Sequence, residues 1–334
     1  MITVNVLVVG AGMMGFNHVR NFSSFNNVKH LAVVDPSDEA LKKVAGLGHQ
    51  SISVYNSVEE ALKNEKVDAA SVIVPTRLHY KIASDLVAKG IPVLVEKPIT
   101  ETIEDGNKLV SEARDRGVIL MVGHIERFNP AVQTLKKNLH LIGNIHYASV
   151  HRFGVPTHRD VGPSFLDQAV HDIDVLTFLT GKYPTTVSAL EDRVTDGKVN
   201  DLCTAIFEYG EHFKAAVEAN RFTPIKSREL IILGTAGAAK MDYITQDLTI
   251  MRSDHVTTKY STFDEVVLRV GRGSEIRPYF VKDEPLKLEL MHFLDCVKNK
   301  KQPLTTGEDG LHALAAAIAG MKAAKTGKRE AITL

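Results

Sequence analysis

A chain of 334 residues is long enough for two domains with separate cores, and 44% hydrophobic with 24% charged residues is an ordinary soluble composition that excludes a disordered chain. Lysine plus arginine and aspartate plus glutamate balance at 40 each, so no global field draws nucleic acid or an anionic membrane, and small molecules or protein partners remain. The amino terminus lacks a basic n-region and a small-residue cleavage site, and the most apolar helical stretch, 311–324, is interrupted by His312 and Lys322, so a cytoplasmic chain without a membrane span is expected.

Residues 4–9 form a continuous apolar run, followed at once by Gly10-Ala11-Gly12-Met13-Met14-Gly15 and a helix-compatible stretch over 16–25. A dinucleotide needs such a strand, glycine turn and helix start. Gly10 permits the tight turn, Gly12 lets the backbone approach a pyrophosphate, and Gly15 lets helix and strand pack closely, while the helix start with Met13 and Met14 offers N–H groups and a positive dipole end. A second apolar run, 28–34, ends on Asp35, where an acid can bind the adenosine ribose hydroxyls. Asp35 also repels a 2′-phosphate, and Pro36-Ser37-Asp38 supplies no arginine to accept one, so NAD is expected rather than NADP.

The alternation continues with helices at 38–45 and 57–62, the second opened by the capping box Ser57-Val58-Glu59-Glu60. A strand at 69–74 runs into Pro75-Thr76-Arg77-Leu78-His79, and a helix leads on to a strand at 91–95. A helix at 101–116 and a strand at 118–122 follow, the latter ending in Gly123-His124. Strands and helices in strict turn predict an α/β Rossmann domain, a doubly wound parallel sheet, over residues 1–123. Pro75, Thr76 and His79, then Glu96, Lys97 and Pro98, then Gly123 and His124 all fall at or just beyond carboxyl ends of its strands. That edge is where open α/β sheets hold ligands, so these groups are expected to border the nicotinamide. A lysine there can hydrogen-bond a substrate hydroxyl; the plain alternative is that Glu96 and Lys97 are a solvated charge pair opening a loop.

Past residue 123 the pattern changes, and 124–334 reads as a second, α+β domain. A linking helix at 127–138 is followed by strands at 145–153, 187–192, 203–209, 215–222, 228–233 and 246–251, with Gly234-Thr235-Ala236-Gly237 as a turn. Such a run predicts a large, mostly antiparallel sheet. Helices at 285–298 and 308–325 are expected to pack back on the first domain. One helix, 163–176, interrupts the strands and carries Asp167, His171 and Asp174 on one face, opposite Leu166, Val170, Ile173 and Leu176. That face is either the helix's wet side or a catalytic one, in which Asp167 orients His171 for proton transfer near neutrality. Cys203 and Cys296 fit reduced buried thiols, and neither an HExxH nor a paired-cysteine spacing marks a metal site.

On the glycine turn with Asp35, the segment from Pro75 and Thr76 to His79, the Glu96-Lys97-Pro98 step and the Asp167, His171, Asp174 helix, the chain resembles the glucose-fructose oxidoreductase and inositol dehydrogenase family (Gfo/Idh/MocA) over nearly its whole length. The resemblance implies a two-domain dehydrogenase whose large open-faced sheet serves oligomerisation, here as a homodimer or homotetramer, with Lys97, Asp167 and His171 as the catalytic groups. Within that family, the stretch from Gly123 and His124 to Pro130, and the stretch from Arg152 through Arg159 to Gly162, resemble the UDP-N-acetylglucosamine 3-dehydrogenases. His124, Arg127, Arg152, His158, Arg159, Asp167 and His171 are then expected to bind a nucleotide sugar. Arg152, His158 and Arg159 would grip the diphosphate, the plain alternative being a solvated charge cluster. His171, held by Asp167, is expected to take the hydroxyl proton as hydride leaves for NAD, with Lys97 on the same oxygen. An inositol or free-sugar dehydrogenase and a non-catalytic sugar sensor are the alternatives, and the presence of both Lys97 and His171 favours catalysis over the sensor.

Overall fold

The structure, a computed structural model, describes residues 3–47, 51–156, 162–252 and 274–334. The chain divides into two compact units, the first made of Met1–Phe128, Glu284–Ala315 and Leu334, the second of Asn129–Asp283 and Ala316–Thr333.

In the first unit β1 (Val4–Val9), α1 (Met13–Ser23), β2 (Val28–Val34), α2 (Asp38–Ala45), β3 (Ile52–Tyr55), α3 (Val58–Asn64), β4 (Ala69–Val72), α4 (His79–Ala88), β5 (Val93–Glu96), α5 (Ile103–Arg116) and β6 (Leu120–Gly123) alternate. The strands form a six-stranded sheet in the order β3-β2-β1-β4-β5-β6, every pair parallel. This is the doubly wound sheet the alternation predicts. β4, β5 and β6 are buried along their whole length, as strands covered by helices on both faces must be. Ser37, Ser57 and Thr102 cap α2, α3 and α5 by accepting the N–H three residues on, and Gly117, in the left-handed region, ends α5. The strand order reverses between β1 and β4, which opens a crevice beyond their carboxyl ends.

The second unit holds α6 (Pro130–Asn138), β7 (Ile145–Phe153), a π-helical turn Phe165–Ala169 leading into α7 (Val170–Thr180), then β8 (Thr186–Asp192), β9 (Leu202–Tyr209), β10 (Phe213–Asn220), β11 (Ser227–Gly234), β12 (Gly237–Asp242), β13 (Asp247–Arg252) and the short β14 (Glu275–Ile276) and β15 (Glu330–Ala331). They form a nine-stranded sheet in the order β14-β13-β12-β11-β7-β10-β9-β8-β15. Among the described residues only β7 with β10 is parallel, so the sheet is mixed and mostly antiparallel. One face builds the core: Ala148, Val150, Phe207, Val217, Leu230 and Ile232 pack with Ile173 and Leu176 of α7. The last helices are α8 (Pro285–Asn299), which lies against α1 within the first unit, and α9 (Gly307–Thr326), which starts in the first unit and ends in the second.

Candidate active site

Two of the three glycines in the first turn are required by the chain itself. Gly10 sits at φ +101°, and a Cβ there would stand 2.1 Å from the Ile73 carbonyl oxygen; one at Gly15 would stand 1.9 Å from the oxygen of Gly10. A Cβ at Gly12 would meet nothing within 4 Å. The backbone there faces open space, beside a cleft of about 720 Å³ lined by Ala11, Gly12, Met13, Ser37, Lys43 and Leu47. Gly12 is also the residue before α1, and it has no side chain to cap the N–H groups of Met13, Met14 and Gly15. Asp35, at the end of β2, accepts the Ala11 N–H on Oδ2 at 2.7 Å and the Ser37 N–H on Oδ1 at 2.8 Å. The acid therefore pins the glycine turn to the neighbouring strand, and each oxygen keeps a second lone pair for a ribose hydroxyl. An open cradle over Gly12, uncapped helix amides and a fixed carboxylate fit a dinucleotide.

Lys97 follows β5 on the same edge of the sheet and is half-buried, its bond to Pro98 cis. Behind it Glu96 is buried. Glu96 Oε2 accepts the Lys97 backbone N–H at 3.1 Å, and Oε1 stands 3.3 Å from His18 Nε2 on α1. The other ring nitrogen of His18 is 3.0 Å from Ser71 Oγ on β4. Burial alone would push the Glu96 carboxyl up; the His18 ring 3.3 Å away, with the charge of Lys97 and its backbone N–H, outweighs it and holds the carboxyl below the usual glutamate range. Gly123 leaves room for this carboxylate, since a Cβ there would lie 3.1 Å from Glu96 Cδ.

His79 acts from inside. Its two ring nitrogens each stand 2.8 Å from a carbonyl oxygen, of Pro98 and of Val74, so the ring ties the segment after β4 to the segment after β5. Burial pushes its imidazole down, against those carbonyls and the charge of Glu96, which favour the protonated ring. Pro75 is exposed and Thr76 half-buried on the rim, whereas His124 is enclosed at 1% exposure.

Several expected substrate groups are placed otherwise. Arg152, expected to reach a diphosphate, lies inside the second unit at 1% exposure. Its Nε and Nη2 donate to the two oxygens of Asp172 at 2.7 and 2.8 Å, and its guanidinium stacks on the Tyr243 ring. A cation neutralised that fully is spent on packing. Arg127 is likewise internal, with Nη2 3.0 Å from Asp309 Oδ1 and Nη1 donating to the Leu304 carbonyl at 2.9 Å. Burial would raise the Asp309 carboxyl, and the Arg127 charge beside it lowers it instead. His158 and Arg159 lie outside the described residues.

On the helix of the second unit, Asp167 falls in the π turn and His171 follows in α7, both half-buried. Asp167 Oδ2 accepts from Arg221 Nη1 at 2.9 Å, and Arg221 Nη2 donates to the Gly162 carbonyl at 2.8 Å. Asp174, expected to share a wet face with them, is buried at 2% exposure. The wider turn ahead of α7 and the burial of Asp172 and Asp174 break the simple two-faced helix that the spacing suggests. Sequence reasoning missed His18, Ser71, Asp172 and Arg221. Only His18 had a local signal: it lies three residues after Gly15, on the helix face that Gly15 presses against the strand. Cys203 and Cys296 are free and buried, as expected, and burial pushes the Cys203 thiol up to about 12. Among the described residues no helix is long and apolar enough to cross a membrane.

Residues 4–124 match the family model described as "Oxidoreductase family, NAD-binding Rossmann fold", and residues 136–334 match its companion, "Oxidoreductase family, C-terminal alpha/beta domain". The scyllo-inositol 2-dehydrogenase (NAD(+)) of Bacillus subtilis is 28% identical, covering 97% of this chain and 95% of its own length. The UDP-N-acetylglucosamine 3-dehydrogenase of Acidithiobacillus ferrooxidans is 26% identical over 95% of this chain and 96% of its own. The solved structure of that second enzyme superposes with a TM-score of 0.83 at 25% identity, covering 98% of this chain and 99% of the other.

Proposed function

This chain belongs to the Gfo/Idh/MocA oxidoreductase family, and from that premise we propose that it oxidises a ring hydroxyl of a sugar or polyol to the ketone, with UDP-N-acetylglucosamine as its first substrate. It is an NAD-dependent dehydrogenase acting on CH–OH groups. The observation that carries the reading is the placement of Lys97 at the carboxyl end of β5, on the same edge of the same parallel sheet as the glycine turn after β1 and Asp35 after β2.

NAD, when bound, would supply the acceptor for the hydride of the carbinol carbon. The chain's own groups handle the oxygen and its proton. Lys97 Nζ donates a hydrogen bond to the reacting oxygen and stabilises the alkoxide character that develops as the C–H electrons leave. His171 accepts the hydroxyl proton, with Asp167, itself gripped by Arg221, as the carboxylate that orients it. Asp35 and the N–H groups of Met13, Met14 and Gly15 hold the dinucleotide, and Pro75 and Thr76 border it on the rim. The balance is alcohol plus NAD⁺ giving ketone, NADH and one proton.

The purified protein, incubated with NAD and a panel of nucleotide sugars, free sugars and inositols, is expected to form NADH, seen by absorbance, with UDP-N-acetylglucosamine. Lys97→Met and His171→Ala should each lower turnover about a hundredfold or more. Wild-type turnover by Lys97→Met removes the lysine from the reaction, and no turnover on any compound points to a sugar sensor. A second reading, an inositol dehydrogenase, is favoured by one observation: Arg152 and Arg127, two of the cations expected on the substrate, are bound to Asp172 and Asp309. A neutral polyol needs no such cations, and activity confined to inositols selects it.

A further inference from the structure

We infer that His18 and Glu96 are positioning residues for Lys97: a buried imidazole and a buried carboxylate tie the first helix to the end of β5 and fix the direction in which the lysine leaves the sheet. The inference rests on the proposed role of Lys97.

The contacts run in sequence. Ser71 Oγ on β4 is 3.0 Å from His18 Nδ1, His18 Nε2 is 3.3 Å from Glu96 Oε1, and Glu96 Oε2 accepts the Lys97 N–H at 3.1 Å. His18 is fully buried and Glu96 nearly so. An apolar residue in place of Glu96 would fill the end of a buried strand without leaving a charge to compensate. Instead the two oxygens of the carboxylate are divided, one toward α1 and the other to the backbone of the residue proposed to meet substrate. The groups facing Glu96 come from each neighbouring element: His18 from α1, Lys97 from the end of its own strand, His79 from α4 and the bare Cα of Gly123 from β6.

The charge on Glu96 is what His18 secures. An ionised carboxylate accepts the Lys97 N–H with either oxygen; a protonated one carries a donor and can turn toward a carbonyl instead. Because α1 is the helix that Gly12 opens, the same contacts link the cofactor cradle to the lysine through packed side chains. A loosened Lys97 backbone displaces Nζ, and displacements of about an ångström at a reacting group lower rates up to about a hundredfold.

The test follows the Lys97 backbone amide by ¹⁵N-edited NMR and turnover with the best substrate of the panel, both from pH 5.5 to 8.5, in wild type, His18→Leu, His18→Gln and Glu96→Gln. In the wild type the amide is expected to stay constant across the range. In His18→Leu it should titrate within the range, with kcat about tenfold low at the acid end and recovering toward the alkaline end as Glu96 ionises unaided. His18→Gln, whose amide N–H can point at Glu96 from the same place, should restore the constant amide and most of kcat. Glu96→Gln should give a displaced amide that does not titrate and a low kcat at every pH, with KM changed less than twofold. Losses of Tm and kcat that are independent of pH, with a constant amide in His18→Leu, reduce the pair to packing and overturn the inference. If His18→Leu does not fold, a Glu96→Gln amide unmoved from the wild-type position overturns it equally. Should Lys97→Met abolish turnover while His18→Leu and Glu96→Gln retain it, the inference fails alone; should Lys97→Met remain active, the functional reading fails first. Without turnover on any compound the amide titration decides.

Discussion

Gly10, Gly12 and Gly15 separate by what a methyl group would meet. At Gly10 an alanine would place Cβ 2.1 Å from a carbonyl oxygen in a backbone region that suits only glycine, whereas at Gly12 the same carbon enters open space. Gly10→Ala is therefore expected to lower stability by more than about 3 kcal/mol. Gly12→Ala should leave Tm within about a degree or two of wild type and weaken NAD about tenfold or more, about 1.4 kcal/mol. Thermal melts beside a fluorescence titration with NAD distinguish the two, and equal losses of Tm would refute the division. Asp309 carries a pH prediction. Its carboxyl, held by Arg127 and by the N–H and hydroxyl of Thr306, sits below the ordinary aspartate value of 3.8. A depressed native value means that the unfolded chain binds the extra proton as pH falls through 3.8. The contribution is then present above that pH and lost below it. Asp309→Asn should be less stable at neutral pH and lose stability less steeply on acidification, as urea melts at stepped pH would report. Lys97 and Asp35 were legible because a strand end is a matter of periodicity. His18 with Ser71 was not, because that contact joins positions 53 apart.

The elements were mostly legible, and two of those missed had different reasons. β3 is four residues on a sheet edge, largely half-exposed, so it offers neither a long apolar run nor a clean alternation. β12, Gly237-Ala238-Ala239-Lys240-Met241-Asp242, looks like the tail of a glycine turn, yet it pairs on both sides, with β11 and with β13. The parallel pairing of β7 with β10 depends on which strands meet across the sheet, which no local pattern states. The helix leading into α7 misled in a useful way. Its spacing put Asp167, His171 and Asp174 on one face, wet or catalytic, yet Asp174 is buried, and Asp172, which that reading left out, is fully buried and neutralises Arg152 of β7 through two hydrogen bonds. Removing one partner strands a charge in the core. Arg152→Met or Asp172→Leu alone should destabilise the second unit by about 3–5 kcal/mol, while the double variant should recover most of that loss. Denaturant titration of the three proteins tests the pair, and additive single losses would refute it.

For the molecule as a whole, the nine-stranded sheet raises the question of what covers its second face. One face packs against α6 and α7, yet on the other Tyr147, Leu190, Ile206 and Leu233 are all well exposed. The ladder spreads them over one patch: Tyr147 pairs with Leu233 at one end and Leu190 with Thr204 at the other, and between them Ser188 pairs with Ile206, Ile206 with Ala216, Ala216 with Ser149, and Ser149 with Ile231. That row of apolar and small residues, crossed by Lys214, Glu218, Glu229 and Lys240, is broad for a surface left in water. A second copy of the chain supplies a matching surface by symmetry, since an isologous contact sets the same patch against itself. The expectation is a dimer or tetramer in solution. Placing two like charges where that patch would meet its twin, in the double variant Leu190→Lys and Ile206→Lys, should convert the assembly to monomer without unfolding it, because both side chains point away from the core. Sedimentation velocity beside circular dichroism reads both halves of the claim. A wild type that sediments as a monomer at tens of micromolar would refute self-association, and an unchanged oligomer in the double variant would move the interface off this face.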